Sequence, residues 1–131
     1  MKTPIARIAV LALGTSTTLA GLVALELPAH SAQKAKVRVG ISQVNTEMSG
    51  VVRSTRAKCA RNRTVLVWMQ VGERGGGDDV QMFQDTTSLE GGRYVWNTGT
   101  TGVEGRFYAR VGGKKGCRAG TSRTIDVFRS E

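Results

Sequence analysis

The chain has 131 residues, and its 19 Lys and Arg side chains outnumber 10 Asp and Glu, for a net charge of +9. Its single histidine, His30, lies near the amino terminus, so the residues after it hold no Ser-His-Asp or Cys-His arrangement and no histidine-ligated metal. The two cysteines are too few for a thiolate zinc site and form no Cys-x-x-Cys redox pair, so neither catalytic residues nor a cofactor is expected.

The first element is an amino-terminal segment over residues 1–32. Lys2 and Arg7 form a basic head, Ile8 to Leu25 carries no charge, and Pro28-Ala29-His30-Ser31-Ala32 supplies small residues at an exit. That order reads as a secretory signal helix, cleaved after Ala32 or, failing that, after Ala29. The alternative is an uncleaved membrane anchor, because the uncharged run is just long enough to cross a thin bilayer. Gly14, Thr15, Ser16, Thr17 and Thr18 dilute its apolar middle and favour cleavage. Residues 33–131 then make one small domain, whose limited core gains from a covalent staple. Export places Cys59 and Cys117 in an oxidising compartment, where the only disulfide they can form within the chain joins one to the other. Two free thiols or an intermolecular bridge are the competing readings.

From Lys36 to Phe128 apolar and polar residues alternate, turn residues recur about every ten positions, and no helical period competes. Seven strands are predicted. Lys36–Ser42 comes first, with Val37, Val39 and Ile41 on one face, and Met48–Ser54 follows. Arg63–Val71 sets Val65, Val67, Met69 and Val71 against Leu66 and Trp68. After the glycine-rich turn 72–77, Asp79–Gln84 puts Val80 and Met82 on one face and Phe83 on the other. Gly92–Asn97, Gly105–Gly112 and Ser122–Arg129 complete the set. Glu90-Gly91-Gly92-Arg93-Tyr94 is echoed by Glu104-Gly105-Arg106-Phe107-Tyr108, and two such turn-plus-aromatic units in succession predict adjacent strands of a meander. Phe107, Ala109 and Val111 are expected in the core, and Tyr108 half-exposed beside Arg106 and Arg110. The fold expected is all-β: a seven-stranded antiparallel Greek-key β-sandwich of immunoglobulin-like or prealbumin-like type, preceded by the signal helix.

Several short motifs now look familiar: residues 50–55 (GVVRST), 59–68 (CARNRTVLVW), 85–96 (DTTSLEGGRYVW), 105–111 (GRFYARV) and 117–127 (CRAGTSRTIDV). Together, over about Met48 to Phe128, they resemble the small secreted transthyretin-like, or carboxypeptidase-regulatory-like, sandwich modules of bacteria. The chain departs from that pattern at Ser88-Leu89-Glu90-Gly91, where an Asp or Asn commonly precedes the turn glycine. The resemblance implies an accessory or binding domain and carries over no activity.

Charge is distributed by segment. Lys34, Lys36, Arg38, Arg53, Arg56, Lys58, Arg61 and Arg63 share residues 33–63 with one acid, Glu47, whereas acids dominate residues 64–105 and bases return after that. The basic segments are those that hold the cysteines. A bridge would therefore gather Lys58, Arg61, Arg63, Lys114, Lys115 and Arg118 at one end of the sandwich, a patch suited to an anionic cell-envelope polymer or another surface protein. The plainer reading is that basic loops keep a small domain soluble. No specific nucleic-acid motif is present, and a membrane partner is expected only if the amino-terminal segment is retained. Asp78-Asp79, with Glu73 and Asp85, lacks the spacing of a calcium loop and reads as turn chemistry, as do the glycine runs. Asn62-Arg63-Thr64 fits the glycosylation pattern.

Overall fold

A computed structural model describes residues 33–130. The signal segment predicted over 1–32 lies outside the described residues. Ten strands follow in order: β1 Arg38–Val39, β2 Ser42–Val44, β3 Glu47–Arg53, β4 Thr64–Met69, β5 Val80–Thr86, β6 Ser88–Glu90, β7 Arg93–Thr100, β8 Gly105–Val111, β9 Gly120–Thr121 and β10 Ile125–Val127. A 3-10 turn, Ala57–Cys59, precedes β4. Among the described residues no helix is long and apolar enough to cross a membrane.

The strands form two antiparallel sheets. In the first the order is β1-β3-β7-β6, with β2 also on β3, and in the second it is β10-β8-β4-β5, with β9 also on β8. Alternation explains how one core forms between them, since each strand delivers every second side chain to the same face. The first sheet contributes Met48, Val52 and Trp96, and the second contributes Val65, Val67, Phe107, Ala109, Val111, Ile125 and Val127, all in one buried cluster. Phe107, fully buried, contributes roughly 2–3 kcal/mol of apolar transfer by itself.

Four expectations need correction. The first predicted strand is broken in two at Gly40-Ile41, and the last, predicted from Ser122 to Arg129, is shortened to Ile125–Val127, with Gly120–Thr121 pairing on β8 ahead of it. A three-residue strand, β6, occupies what read as turn, because β5 stays with β4 only as far as Thr86 and after Thr87 the chain pairs with β7 in the other sheet. The repeated turn-plus-aromatic units are not meander neighbours, since β7 and β8 lie in different sheets. Only the first unit is a hairpin turn: Gly91 and Gly92, with φ of 57° and 78°, make the two-residue loop between Glu90 and Arg93, and such loops need positive φ at both positions. Finally, the register of β5 slips between Val67 and Trp68, leaving Met82 as the extra residue. Val80 and Phe83 are thus both opposite core-facing partners, Met69 and Val67, where strict alternation would separate them.

Close packing of the first sheet rests on Gly50. The Trp96 indole N–H donates to the Gly40 carbonyl at 3.2 Å. A Cβ on Gly50 would sit 1.9 Å from that carbonyl oxygen and 2.8 Å from Trp96 Nε1, so only glycine lets the three approach.

Candidate functional site

Cys59 and Cys117 form a disulfide with Cα atoms 5.4 Å apart, joining residues separated by 58 positions. Both are fully buried. Around them the chain is tied by backbone bonds. The N–H of Ala35 donates to the Gly116 carbonyl at 2.9 Å, and that of Arg118 to the Ala35 carbonyl at 2.8 Å, so residues 34–36 run beside the second cysteine. Lys114 and Cys117 exchange a further pair of bonds that close a tight turn.

The predicted cations are distributed differently from expectation. Lys58, Arg61, Lys114, Lys115 and Arg118 are exposed, but Arg63 is buried, with 5% of its surface accessible. Its guanidinium donates to the Cys59 carbonyl at 2.7 Å and to the Gly112 carbonyl, and burial pulls its pKa down from the ordinary value. Arg63 is therefore a strut between the two disulfide loops and not a surface cation. Thr87 completes this knot: its hydroxyl accepts from the Arg63 N–H at 3.0 Å and donates to the Ala60 carbonyl at 2.6 Å. Counting bases along the chain could not show this, because the strand begins at Thr64 and Arg63 sits at a turn whose direction depends on Asn62, with φ of 51°.

Other cations take its place. The Arg56 guanidinium donates to the Gly116 carbonyl at 3.3 Å. A Cβ on Gly116 would lie 3.1 Å from Lys58 Nζ and 3.7 Å from Arg56 Nη1, so two positive groups converge over one glycine. Lys34 and Lys36 flank buried Ala35 on that same segment and are exposed. Their signal was available in the alternation of Lys34, Lys36 and Arg38 with Ala35, Val37 and Val39. Beside Arg63 a shallow depression is lined by Asn62, Thr64, Leu66, Gly113 and Lys114, so the loops at the two cysteines do adjoin. No acid occurs in residues 48–72 or 105–125, so Arg56, Lys58, Lys114, Lys115 and Arg118 have no acidic neighbour within their own segments. The arrangement can hold anionic groups by charge and by guanidinium hydrogen bonds.

A second polar cluster lies on the outer face of the second sheet. Tyr108, expected half-exposed, is 5% exposed because the glycine-rich loop folds back over it. The Arg74 guanidinium stands 5.9 Å from the ring centroid and donates to the Ser122 carbonyl at 2.5 Å. Asp79, which read as a solvated turn acid, organises the loop: it accepts from the Tyr108 hydroxyl at 2.5 Å, the Gly75 N–H at 2.8 Å and the Val71 N–H at 3.1 Å. Those bonds, the Tyr108 one foremost, hold its carboxyl below the usual range. Burial first, then the bond to Asp79, pushes the Tyr108 phenol up to about 12.

The raised phenol has a defined sign. Its contribution to stability is fully present below the ordinary tyrosine value of about 10 and is lost as the unfolded chain ionises first, between about pH 10 and about pH 12. Urea unfolding over that window should show a loss of about 2 kcal/mol relative to Tyr108→Phe, which has no proton there to release. Equal pH slopes for the two proteins would contradict the assignment.

Comparison with protein families, with curated proteins and with solved structures found no match in any of the three, and the chemistry of the basic end rests on its own residues.

Proposed function

We propose that this protein is a non-enzymatic accessory module, secreted or held at the cell surface, that binds anionic envelope polymers through its disulfide-clasped basic end. The observation that carries the reading is the convergence of Lys58 and Arg56 on Gly116, next to Lys115 and Arg118, with no acid in either segment. Like charges held together on a surface cost free energy unless a counter-charge is present, and a polyanion supplies one. The disulfide fits an oxidising compartment outside the cytoplasm, in keeping with the signal peptide read over residues 1–32. The Greek-key path and the kinship with transthyretin-like modules belong to the same proposal. They are supported by the crossings between sheets after β3, β5 and β7 and by the short motifs.

Retention on an immobilised anionic polymer tests it. The protein should bind at low salt and elute as ionic strength rises, because surface charge pairs are screened over about 10 Å at 0.1 M salt. The triple substitution Lys114→Gln, Lys115→Gln, Arg118→Gln should elute at clearly lower salt. Absence of retention at low salt, or an unchanged elution position for the triple variant, refutes the reading.

A further inference from the structure

Strand register places three arginines in one row across the first sheet. Arg38 on β1 is directly opposite Arg53 on β3. Val52 is opposite Tyr94, so the next step of that antiparallel ladder sets Arg53 level with Arg93 on β7, and Arg93 in turn is opposite Glu90 on β6. Val52 and Met48 point into the core, which turns Arg53, Val51 and Ser49 outward by the period-two rule. All three arginines are exposed. Neighbouring strands lie about 4.8 Å apart, so the stems of three guanidinium groups repeat at about that spacing. Like charges directly opposite one another destabilise a sheet, and the single acid of the row stands at its far end. Nothing in the fold requires this row.

The surface around it is shaped. Three adjoining depressions share Arg53. One is lined with Arg38, Gly40, Ser42 and Val51, another with Thr55, Arg93 and Tyr94, and the third with Lys36, Arg38 and Ser54. The row next to the arginines is Val51, Val95 and Ser88, and the row after it is Ser42, Ser49 and Asn97. Forks for planar anions thus border a narrow apolar floor and then a line of hydroxyl and amide groups.

We propose that this face is the track for a linear acidic polysaccharide that carries a carboxylate on successive sugars and lies across the strands. Arginine pairs with a carboxylate through two parallel N–H bonds, which a point charge such as lysine does not offer. Ser42, Ser49 and Asn97 suit sugar hydroxyls, and Val51 with Val95 suits the C–H face of a pyranose ring. An inorganic polyphosphate offers charge alone and leaves both of those rows unused. The inference rests on the polyanion reading but assigns the specificity to the sheet face, away from Lys114, Lys115 and Arg118.

The test is calorimetric titration of the full chain with polygalacturonate and with polyphosphate at equal charge concentration, in low and physiological salt. Wild type should prefer polygalacturonate at least tenfold at physiological salt. Arg38→Gln, Arg53→Gln, Arg93→Gln together should weaken polygalacturonate binding at least tenfold, with a melting midpoint no lower than wild type. Arg53→Lys, which keeps the charge and loses the fork, should weaken it several-fold. Equal affinity for the two polymers, or a face variant or Arg53→Lys that binds polygalacturonate like wild type, overturns the inference. If the Lys114, Lys115, Arg118 triple variant alone abolishes binding, this inference falls while the basic-end reading stands. If wild type binds neither polymer, both fall.

Discussion

Replacing Cys59 and Cys117 together by alanine is expected to lower the unfolding free energy by about 4 kcal/mol and the melting midpoint by about 20 °C. The bridge closes a loop of 58 positions, and the chain-entropy cost of leaving such a loop open in the unfolded state is about that size. Alanine is the right replacement because both sulfurs are fully buried, and serine would add an unpaired hydroxyl to the loss. Denaturant unfolding and calorimetry of the double variant read the effect directly, and reduction of the wild type should reproduce most of it. A loss below about 1 kcal/mol would mean that other bonds already confine the two loops. The same variant bears on function, because without the bridge Lys58 and Gly116 are held near one another by hydrogen bonds alone: those of residues 34–36, of Arg63 and of Arg56 to the Gly116 carbonyl.

Arg63→Met should cost about 3 kcal/mol and should do so independently of salt. Methionine keeps much of the aliphatic length but withdraws the donors from the Cys59 and Gly112 carbonyls. Each hydrogen bond to a charged donor is worth about 1.5–3 kcal/mol, and the gain from no longer burying the cation offsets part of the loss. Lysine at this position should recover less than half, because a single ammonium does not reproduce a fork that reaches two carbonyls from different loops. Salt separates this role from the one first assigned to Arg63. A surface cation would have its small contribution screened, whereas a buried strut is indifferent to ionic strength up to 1 M. Urea midpoints at low and high salt decide, and a wild-type-like midpoint for Arg63→Met would return Arg63 to the surface patch. Arg63 and the disulfide pin the same pair of segments, so their effects should fail to add, by 0.5 kcal/mol or more in a double-mutant cycle.

The residues that were readable in advance share one property: their environment is set by their own strand. Val65 and Val67 on β4, and Phe107, Ala109 and Val111 on β8, are buried as alternation requires. Tyr108 follows the same rule in pointing away from the core, yet it is buried, because the loop that holds Asp79, 29 positions earlier in the chain, covers it through Asp79 and Arg74. Arg63 was legible as a charge but not as a buried one, since its two carbonyl partners belong to a turn before it and a loop 49 positions after it. The Arg38, Arg53 and Arg93 row escaped for a related reason. Each arginine sits on an ordinary alternating strand, and only register aligns them.

What the amino-acid sequence determined alone is the all-β character, the core face of the main strands, and a disulfide between the only two cysteines, since period-two alternation and cysteine count are properties of the chain itself. The tertiary structure decided which strands are neighbours, that β7 and β8 part into different sheets, which cation goes inside, and where positive charge lines up. Those outcomes depend on contacts between residues tens of positions apart, and alternation says which way a side chain faces without saying what it will meet.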